Sequence, residues 1–501
     1  MKKTLFSVSF AAVLILVACI SMAAGATGAQ DPEAETMAAF FGVNAVVADN
    51  PPDMAPFATW LRDYTSWEWF EPANNQLTFT NVMGTYNFDA HYTLCDEVGV
   101  DVLMCVQRSP IWISSNPEHS QYYGFAPSGD APGLSPEDYR EAAEFYFQLA
   151  ARYGSVAHPA ESLLTADKKS GLGLVDAIEV MNEADGDASW GHHMTLEQYA
   201  ALLNAVYDGD QGRLGPGYGV KTADPNMLVS ITGVSYGVES LKKITEAAGR
   251  APYDIVNIHH YCWIFDQRWS KWIGVAPEWG GLEELIRNTV AWRDEAAPGK
   301  PIWLTELGWD TLPSDATQAV TEQDAANFLI RCMILSKYAG ADKVFWFYYK
   351  DTDDHAEGQF STSGIYRNQT MLNPEPPPKL MPKLTYWYFA TLKNLLGPTV
   401  YQGRVDAGNE TIYHFEFKHK DGRQTISVLW YCPVYNPRAR VAPPSQVPYE
   451  FEVGQSQDRV RVVRPAAGTV EGETVTANWT GEKTLSLELT GTPVFVIVDQ
   501  I

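Results

Sequence analysis

The sequence predicts a (β/α)8, or TIM, barrel followed by a small antiparallel β-sandwich. Eight apolar segments have the length and composition of strands, at residues 40–47, 59–64, 100–107, 174–181, 227–232, 253–259, 301–306 and 343–348. Most of them are continuously apolar, as expected for parallel strands that are covered on both faces. Helical patterns separate them, and eight strands alternating with helices indicate a barrel.

Helix-start signals support this alternation. Ser135 precedes Pro136 and two acidic residues, which predicts a helix over 137–152. Serine caps a helix, proline fits its first turn, and acidic side chains favour its amino end. Thr195 and Thr321 are predicted to open two further helices in the same way.

The composition changes after residue 400, where short alternating segments are separated by turn signals. This pattern is typical of antiparallel strands. We therefore expect a signal peptide at 1–30, a linker at 31–38, the barrel at 39–397 and the β-sandwich at 398–501.

The amino terminus has the layout of an export signal. Lys2 and Lys3 precede an apolar run at 10–20 and a cluster of small residues at 23–26. The segment that ends at Cys19 resembles a bacterial lipoprotein box, in which the cysteine is acylated; an ordinary signal peptide remains the alternative. The protein is therefore expected to be exported, as a secreted, periplasmic or lipid-anchored surface protein.

Charge and cysteine content narrow the possible partners. A formal net charge of −25 argues against nucleic acid, because phosphate binding requires a basic surface. No segment after residue 30 is apolar and long enough for a membrane span. The cysteines lack metal-site spacing, so no metal or cofactor is expected, and the default is a monomer. Cys105 and Cys332 are expected to be buried thiols, although a bridge between Cys95 and Cys105 remains open.

Two predicted strands end in a glutamate. Asn182-Glu183 ends the fourth strand and Thr305-Glu306 ends the seventh. The carboxyl ends of barrel strands meet at the face where barrel enzymes hold their active sites. Hydrolysis of a glycosidic bond requires two carboxyl groups, one to protonate the leaving oxygen and one to attack or to activate water. The pair is therefore the strongest catalytic candidate in the chain.

Further motifs between residues 40 and 387 resemble clan A of the glycoside hydrolases, with features of families 5 and 39. Arg62 lies on the second strand, where the clan has an arginine. The segments 67–72 and 86–89 look like the region after that strand. His259-His260-Tyr261 resembles the clan's His-x-Tyr motif, and Trp346 lies at the position of its tryptophan on the eighth strand.

The resemblance implies roles for these residues. Glu183 would be the acid/base and Glu306 the nucleophile of a retaining mechanism, with Arg62, Asn182, His259 and Tyr261 in support. Since many aromatic residues follow the strands, we expect tryptophans to bind the substrate. These candidates are Trp346, Trp67, Trp112, Trp190, Trp263 and Trp309.

The expected activity is hydrolysis of β-glycosidic bonds in a polysaccharide, as an endo-β-1,3- or β-1,4-glucanase. The abundance of aromatic residues in several active-face loops favours a cleft with several sugar subsites. Two alternatives remain open. One is an exo-acting β-glycosidase on oligosaccharides, and the other is a non-catalytic glycan-binding surface protein on a hydrolase scaffold.

Overall fold

The computed structural model describes the chain from Glu35 to Gln500, apart from residues 116–123, 130, 187–193, 268–269, 313–317, 353–357, 369–379 and 436–442. The described chain from Glu35 onward forms one compact unit. The predicted signal peptide and Cys19 lie outside the described residues. Met37, in the predicted linker, is buried in a 3-10 turn that leads into the first strand.

The structure confirms all eight predicted barrel strands and adds a hairpin after the sixth. The strands are β1 (Phe41–Ala45), β2 (Trp60–Ser66), β3 (Asp101–Gln107), β4 (Ala177–Val180), β5 (Leu228–Ser230), β6 (Val256–His259), β7 (Trp263–Asp266), β8 (Lys271–Gly274), β9 (Ile302–Leu307) and β10 (Lys343–Trp346). Because β7 and β8 form the inserted antiparallel hairpin, the seventh and eighth barrel strands are β9 and β10.

The eight barrel strands form one parallel sheet in the order β5-β4-β3-β2-β1-β10-β9-β6. Isolated parallel bridges from Ser230 to Ile255 and from Val234 to Ile258 join its two ends. The sheet therefore closes into a barrel, and the carboxyl ends of its strands point to one face.

The described helices lie between the strands or follow them. They are α1 (Pro51–Met54), α2 (Trp67–Phe70), α3 (Phe88–Glu97), α4 (Arg140–Tyr153), α5 (Leu196–Asp208), α6 (Val220–Ala223), α7 (Val238–Ala248), α8 (Leu282–Ala296), α9 (Glu322–Ala339) and α10 (Leu384–Leu396). The predicted starts are confirmed. Ser135 and Thr195 form capping boxes before α4 and α5, and the Thr321 side chain accepts from the backbone nitrogen of Asp324.

An apolar layer fills the barrel interior below the active face. Its members are Trp60, Leu103, Ala177, Ile255, Trp303 and Phe345, with Leu228 packed beside them. Gly42 on β1 makes room for one of them, because a Cβ atom at this position would lie 2.4 Å from the Phe345 ring. Two residues further along four of these strands lie Arg62, Glu179, Asn257 and Thr305, so this layer is the floor of the polar site above it.

The close approach of Gly42 to Phe345 leads to a stability prediction. We expect Gly42→Ala to lower the free energy of unfolding by about 1–3 kcal/mol, because an extra methyl group overpacks a filled core. Urea denaturation would measure the loss. The Gly42→Ala, Phe345→Leu double variant should lose less than the sum of the two single changes; strict additivity would contradict the steric explanation.

The carboxyl-terminal region is antiparallel, as predicted. The last two strands before it pair with each other, and a six-stranded and a three-stranded sheet follow. The strands are β11 (Tyr366–Asn368), β12 (Leu380–Pro382), β13 (Thr399–Arg404), β14 (Ile412–His419), β15 (Gln424–Tyr431), β16 (Val447–Glu452), β17 (Val460–Ala466), β18 (Thr469–Thr474), β19 (Asn478–Trp479), β20 (Thr484–Leu489) and β21 (Val494–Asp499).

One face of the six-stranded sheet shares the barrel's hydrophobic core. Trp430 is fully buried at this junction, and its indole nitrogen donates to Glu278 Oε1 at 2.7 Å. The same carboxylate pairs with the buried guanidinium of Arg331 on α9. Trp430 therefore braces this sheet against the barrel.

The described cysteines are not cross-linked. Cys95, Cys105, Cys262, Cys332 and Cys432 are buried free thiols, so Cys95 and Cys105 form no bridge. Among the residues that the structure describes, no helix has the length and apolar character needed to cross a bilayer.

Candidate active site

A cavity of about 840 Å3 opens at the carboxyl ends of the barrel strands. Both predicted acids, Glu183 and Glu306, line it together with Asn182, His259 and Tyr261. Arg62 lies beneath them and is fully buried. The structure thus brings together all six residues that the sequence proposed for the chemistry.

Glu306 is held by three hydrogen-bond donors. Arg62 Nη1 and the Tyr64 hydroxyl donate to Oε1 at 2.8 and 2.5 Å, and the Tyr261 hydroxyl donates to Oε2 at 2.8 Å. The residue is almost fully buried, at 5 % exposure. Such a group has a fixed orientation, which is the requirement for a nucleophile that must meet one carbon atom.

A β-bulge turns Glu306 into the barrel. Leu304 pairs with Ile258 on β6 and Val344 on β10, but the next pairings are Glu306 with His259 and Leu307 with Trp346. Both registers therefore shift within β9. Trp303 and Thr305 already face the interior, so regular alternation would direct Glu306 outward. The extra residue re-aims the carboxyl group, as bulges next to active sites commonly do.

Charges around Glu306 favour its ionised form. Burial alone would raise the pKa of this carboxyl, but the neighbouring His259 and Arg62 charges and the Tyr64 and Tyr261 hydroxyls lower it more. The net result is a pKa below the ordinary value for glutamate. Glu306 is thus a carboxylate at neutral pH, as a nucleophile must be.

Arg62 connects the side chains that lie beneath the two acids. Its Nε and Nη2 atoms bind the two oxygens of Glu179, a fully buried glutamate on β4, at 2.6 and 2.8 Å. Nη2 also donates to Asn182 Oδ1 at 2.7 Å, and Nη1 donates to Asn44 Oδ1 at 3.0 Å. One guanidinium therefore links the nucleophile to the strand end that carries Glu183. Glu179 supplies the negative charge that keeps this buried cation paired.

His259 lies between the two acids. Its Nδ1 atom is 2.8 Å from Glu183 Oε1 and 3.5 Å from Glu306 Oε1. Burial lowers the pKa of this imidazole, but the Glu306 charge and the hydrogen bond to Glu183 raise it more, so it stays above the ordinary value. Of the two acids that His259 was expected to support, the one it contacts more closely is Glu183.

One proton joins Glu183 to His259. The Thr305 hydroxyl donates to Asn257 Oδ1 at 2.6 Å, so Thr305 Oγ1 accepts from His259 Nε2 at 3.0 Å. Since Nε2 carries a hydrogen, the 2.8 Å contact between Nδ1 and Glu183 Oε1 contains a single shared proton. It lies either on the imidazole or on the carboxyl group.

The two acids are close to each other. Ligand atoms of Glu183, His259 and Glu306 all lie within 4.8 Å of one another. Carboxyl groups about 5–5.5 Å apart suit attack by one of them, whereas about 6.5–9.5 Å leaves room for an intervening water. The bound of 4.8 Å applies to one oxygen of each carboxyl group, and this close approach is compatible with the shorter of the two separations.

The backbone at Glu183 is strained. Met181 and Glu183 have φ values of +67° and +45°, in the left-handed region that non-glycine residues rarely adopt. Such conformations cost about 1–3 kcal/mol and persist where the surroundings enforce them, often at active sites. These two residues redirect the chain from the end of β4 to the rim of the pocket, where the Glu183 carboxyl is partly exposed.

Aromatic side chains form one wall of the cavity. Tyr261 stacks on Trp263 with ring centres 5.0 Å apart and 18° between planes, and Phe360 lies 4.6 Å from Tyr261. Phe347 and Tyr348 continue this wall. Asp310 fixes the segment that carries Phe360, because the Asp310 carboxylate accepts from the backbone nitrogens of Phe360 and Thr362 at 2.8 Å.

Trp346 does not face the pocket. It is fully buried, and its indole nitrogen donates to the Ser363 carbonyl at 2.9 Å. Neighbouring strand residues point to opposite sides, and Phe345 faces the barrel interior. Phe347 therefore shares the inner side with Phe345 and lines the cavity in place of Trp346.

The other predicted tryptophans differ in their positions. Trp263 lines the pocket, whereas Trp67 and Trp309 are core residues with at most 1 % exposure. Trp67 stacks on Phe125 and Phe145, and the Trp309 indole nitrogen donates to the Val275 carbonyl. Trp112 is half-buried against Trp67, away from the cavity lining. Trp190 lies outside the described residues.

Sequence reasoning missed Tyr64, Glu179 and Phe347. Tyr64 follows Arg62 by two positions on one strand, so alternation already placed both on the same face. Glu179 is a charged residue within an apolar strand, which signals a buried counter-charge. Phe347 required knowledge of which face of β10 points inward. Phe360 comes twelve residues after the last predicted barrel strand, and no sequence signal identifies it.

The same three groups, Glu183, His259 and Glu306, could offer ligand atoms to a metal ion. Their hydrogen bonds favour another explanation. Three donors already occupy the Glu306 oxygens, and His259 Nδ1 shares a proton with Glu183. A cation would compete with each of these contacts.

Solved structures of glycoside hydrolases share this fold. A glucosidase from Croceicoccus marinus aligns with a TM-score of 0.57 at 14% identity, over 93% of this chain and 97% of that one. An α-L-arabinofuranosidase from Thermotoga maritima aligns with a TM-score of 0.57 at 12% identity, over 94% and 98%. A family 30 endoxylanase from Clostridium papyrosolvens gives 0.52 at 12% identity, over 93% and 98%.

These alignments extend over the barrel and the carboxyl-terminal sheets together. They confirm the resemblance in fold to the barrel glycoside hydrolases of clan A. No protein-family model matches the chain, and no curated protein matches it in sequence.

Proposed function

We propose that this protein is a retaining glycoside hydrolase that cleaves internal β-glycosidic bonds of a neutral glucan, β-1,3- or β-1,4-linked. The observation that carries the proposal is the Glu183–Glu306 pair. One oxygen of each carboxyl group lies within 4.8 Å of an oxygen of the other, at the ends of β4 and β9; one group is held by three donors and the other shares a proton with an imidazole. The fold shared with clan A hydrolases supports it.

The first chemical step forms a bond from a Glu306 carboxylate oxygen to the anomeric carbon. The bond from that carbon to the leaving oxygen breaks, and the proton held by Glu183 and His259 moves to this oxygen through the Glu183 carboxyl. Arg62 and the two tyrosines hold the carboxylate in line with the carbon. The Asn182 side chain, whose oxygen is bound to Arg62, presents its amide nitrogen as a donor for the sugar hydroxyl next to the reacting carbon.

The second step reverses the roles. Glu183, now a carboxylate, takes a proton from a water molecule as the water attacks the same carbon, and the bond to Glu306 breaks. Two displacements at one carbon restore the original configuration. Glu183 and His259 then again hold one proton between them.

A polysaccharide panel tests substrate and cleavage mode together. We expect β-1,3- or β-1,4-glucan to give a mixture of oligosaccharides from the earliest time points, with a rapid fall in viscosity. Release of monosaccharide alone would establish exo action instead. Glycan binding without any hydrolysis by the wild-type protein would establish a binding protein.

The shared proton predicts a pH effect. The raised pKa of His259 means that the pair keeps its proton above the ordinary imidazole value near 6.5 and loses it as the pH rises further. In His259→Asn a carboxyl group alone must hold the proton, and carboxyl groups ordinarily release theirs near pH 4. The alkaline limb of kcat/KM should therefore move to lower pH.

The measurement is kcat/KM against pH with an aryl β-glycoside. His260→Asn is the matched control, because His260 is bound to the Gly280 carbonyl and burial lowers its pKa. This control should leave the alkaline limb in place. An unchanged limb in His259→Asn would contradict the shared-proton account.

A further inference from the structure

The β7–β8 hairpin has one aromatic face. Phe265 pairs directly with Trp272 across the two strands, and Trp263 pairs with Gly274. Residues that are two apart on a strand, and residues directly opposite each other, lie on the same face of a hairpin. Trp263, Phe265 and Trp272 therefore share a face.

The other face is fixed against the barrel. Ile264 and Ile273 pair across the hairpin and pack on the main hydrophobic core. Because this side is anchored, the aromatic side is directed away from the core. Phe265 and Trp272 are 50% and 53% exposed, with ring centres 5.7 Å apart in an edge-on arrangement.

This aromatic face continues the pocket wall. Trp263 lines the cavity and stacks on Tyr261, whose hydroxyl binds the Glu306 carboxylate. Phe265 lies two residues further along the strand, or about 7 Å at 3.4 Å per residue. That step is of the size of one sugar ring. The strand direction thus leads from the reacting carboxylate to two exposed aromatic rings.

We propose that Phe265 and Trp272 form a distal subsite that binds the continuation of an uncharged glycan chain whose scissile bond lies in the pocket. The inference rests on the proposed hydrolase function and extends it to the length of the substrate. The carbon-bound hydrogens of a sugar ring pack on aromatic faces, and large aromatic side chains supply contact area at small entropic cost. Contiguous exposed apolar side chains also commonly mark a binding site.

The test uses a ladder of β-linked gluco-oligosaccharides from disaccharide to hexasaccharide, together with an aryl monoglucoside. Kinetics are measured with wild type, Trp272→Ala and the Phe265→Ala, Trp272→Ala double variant. Binding is measured by calorimetry in the Glu306→Gln background. Trp272→Tyr keeps an aromatic ring at the site, and Leu134→Ala removes an exposed apolar side chain, at 64% exposure, from another segment.

We expect the double variant to lose about tenfold or more in kcat/KM and in affinity for the longest oligosaccharides, since tenfold corresponds to ~1.4 kcal/mol. Its kcat/KM for the aryl monoglucoside should change by less than about twofold, which is less than 0.5 kcal/mol. Trp272→Tyr should retain most of the length dependence, and Leu134→Ala all of it.

Three outcomes would overturn the inference. An equal loss on short and long substrates would show that the hairpin acts through the pocket. Unchanged kinetics and binding on every substrate would show that the face binds no glycan. A changed oligomeric state without a length-dependent loss would assign it to contact with a second copy. If the wild type hydrolyses nothing, the proposed function fails, while the calorimetric series still tests the subsite.

Discussion

Glu306→Gln is expected to lower kcat on the order of 10^4-fold or more, while the protein remains folded. A glutamine keeps the shape of the side chain but cannot form the covalent bond to the anomeric carbon, and removal of a nucleophile causes losses of this order. Arg62 remains paired with Glu179 in the variant, so its charge is not left uncompensated. Initial rates with an aryl β-glycoside and thermal melting measure the two effects.

The matched control is Glu283→Gln on α8, where the partly exposed carboxylate pairs with Arg287. It makes the same chemical change on the outer surface and should leave kcat unchanged. If Glu306→Gln keeps more than about a hundredth of the wild-type kcat, the covalent role is contradicted. A hundredfold loss raises the activation free energy by only ~2.7 kcal/mol, which is too little for the loss of a nucleophile.

The second large effect is expected at Glu183. In Glu183→Ala, kcat/KM for a substrate with a poor leaving group should fall about 10^2- to 10^4-fold, the usual contribution of general acid catalysis. A dinitrophenyl glycoside, whose leaving group needs no proton, should lose much less in kcat/KM. The covalent intermediate should then accumulate, because the variant lacks the base that activates water.

Azide distinguishes this role from a structural one. As an anionic nucleophile that needs no base, it should restore turnover of the dinitrophenyl glycoside in Glu183→Ala and yield a glycosyl azide of retained configuration. Asn182→Ala is the comparison, since it lies next to Glu183 but transfers no proton; azide should not rescue it. An azide product of inverted configuration would instead assign the missing carboxylate as the nucleophile.

The elements that the sequence predicted well are those set by local composition. Continuous apolar runs determine strands covered on both faces, and Ser135, Thr195 and Thr321 mark helix starts through their caps. A glutamate at the end of an apolar barrel strand must lie on the active face. This rule placed Glu183 and Glu306 at the active face, but it did not determine the side of β9 to which Glu306 points.

The elements that the sequence predicted poorly depend on which side of a strand faces inward. Trp346 and Phe347 are neighbours on the chain, and only the register of β10 decides which one lines the cavity. The bulge in β9 reverses the expected side of Glu306, and no local sequence signal marks it. Trp67 lies in a segment rich in aromatic residues, which is typical of a binding loop. In the folded structure its ring stacks on Phe125 and Phe145 in the core.

The most direct measurement of the central claim is the mass of the protein after reaction with an activated 2-deoxy-2-fluoro-β-glucoside. Fluorine slows both displacements, and a good leaving group lets the first one proceed, so the covalent intermediate accumulates. The account predicts one fluoroglucosyl adduct on the peptide that carries Glu306, and its loss in Glu306→Gln. An unlabelled wild-type protein that hydrolyses β-glucosides with inversion, or an adduct on another residue, would contradict it.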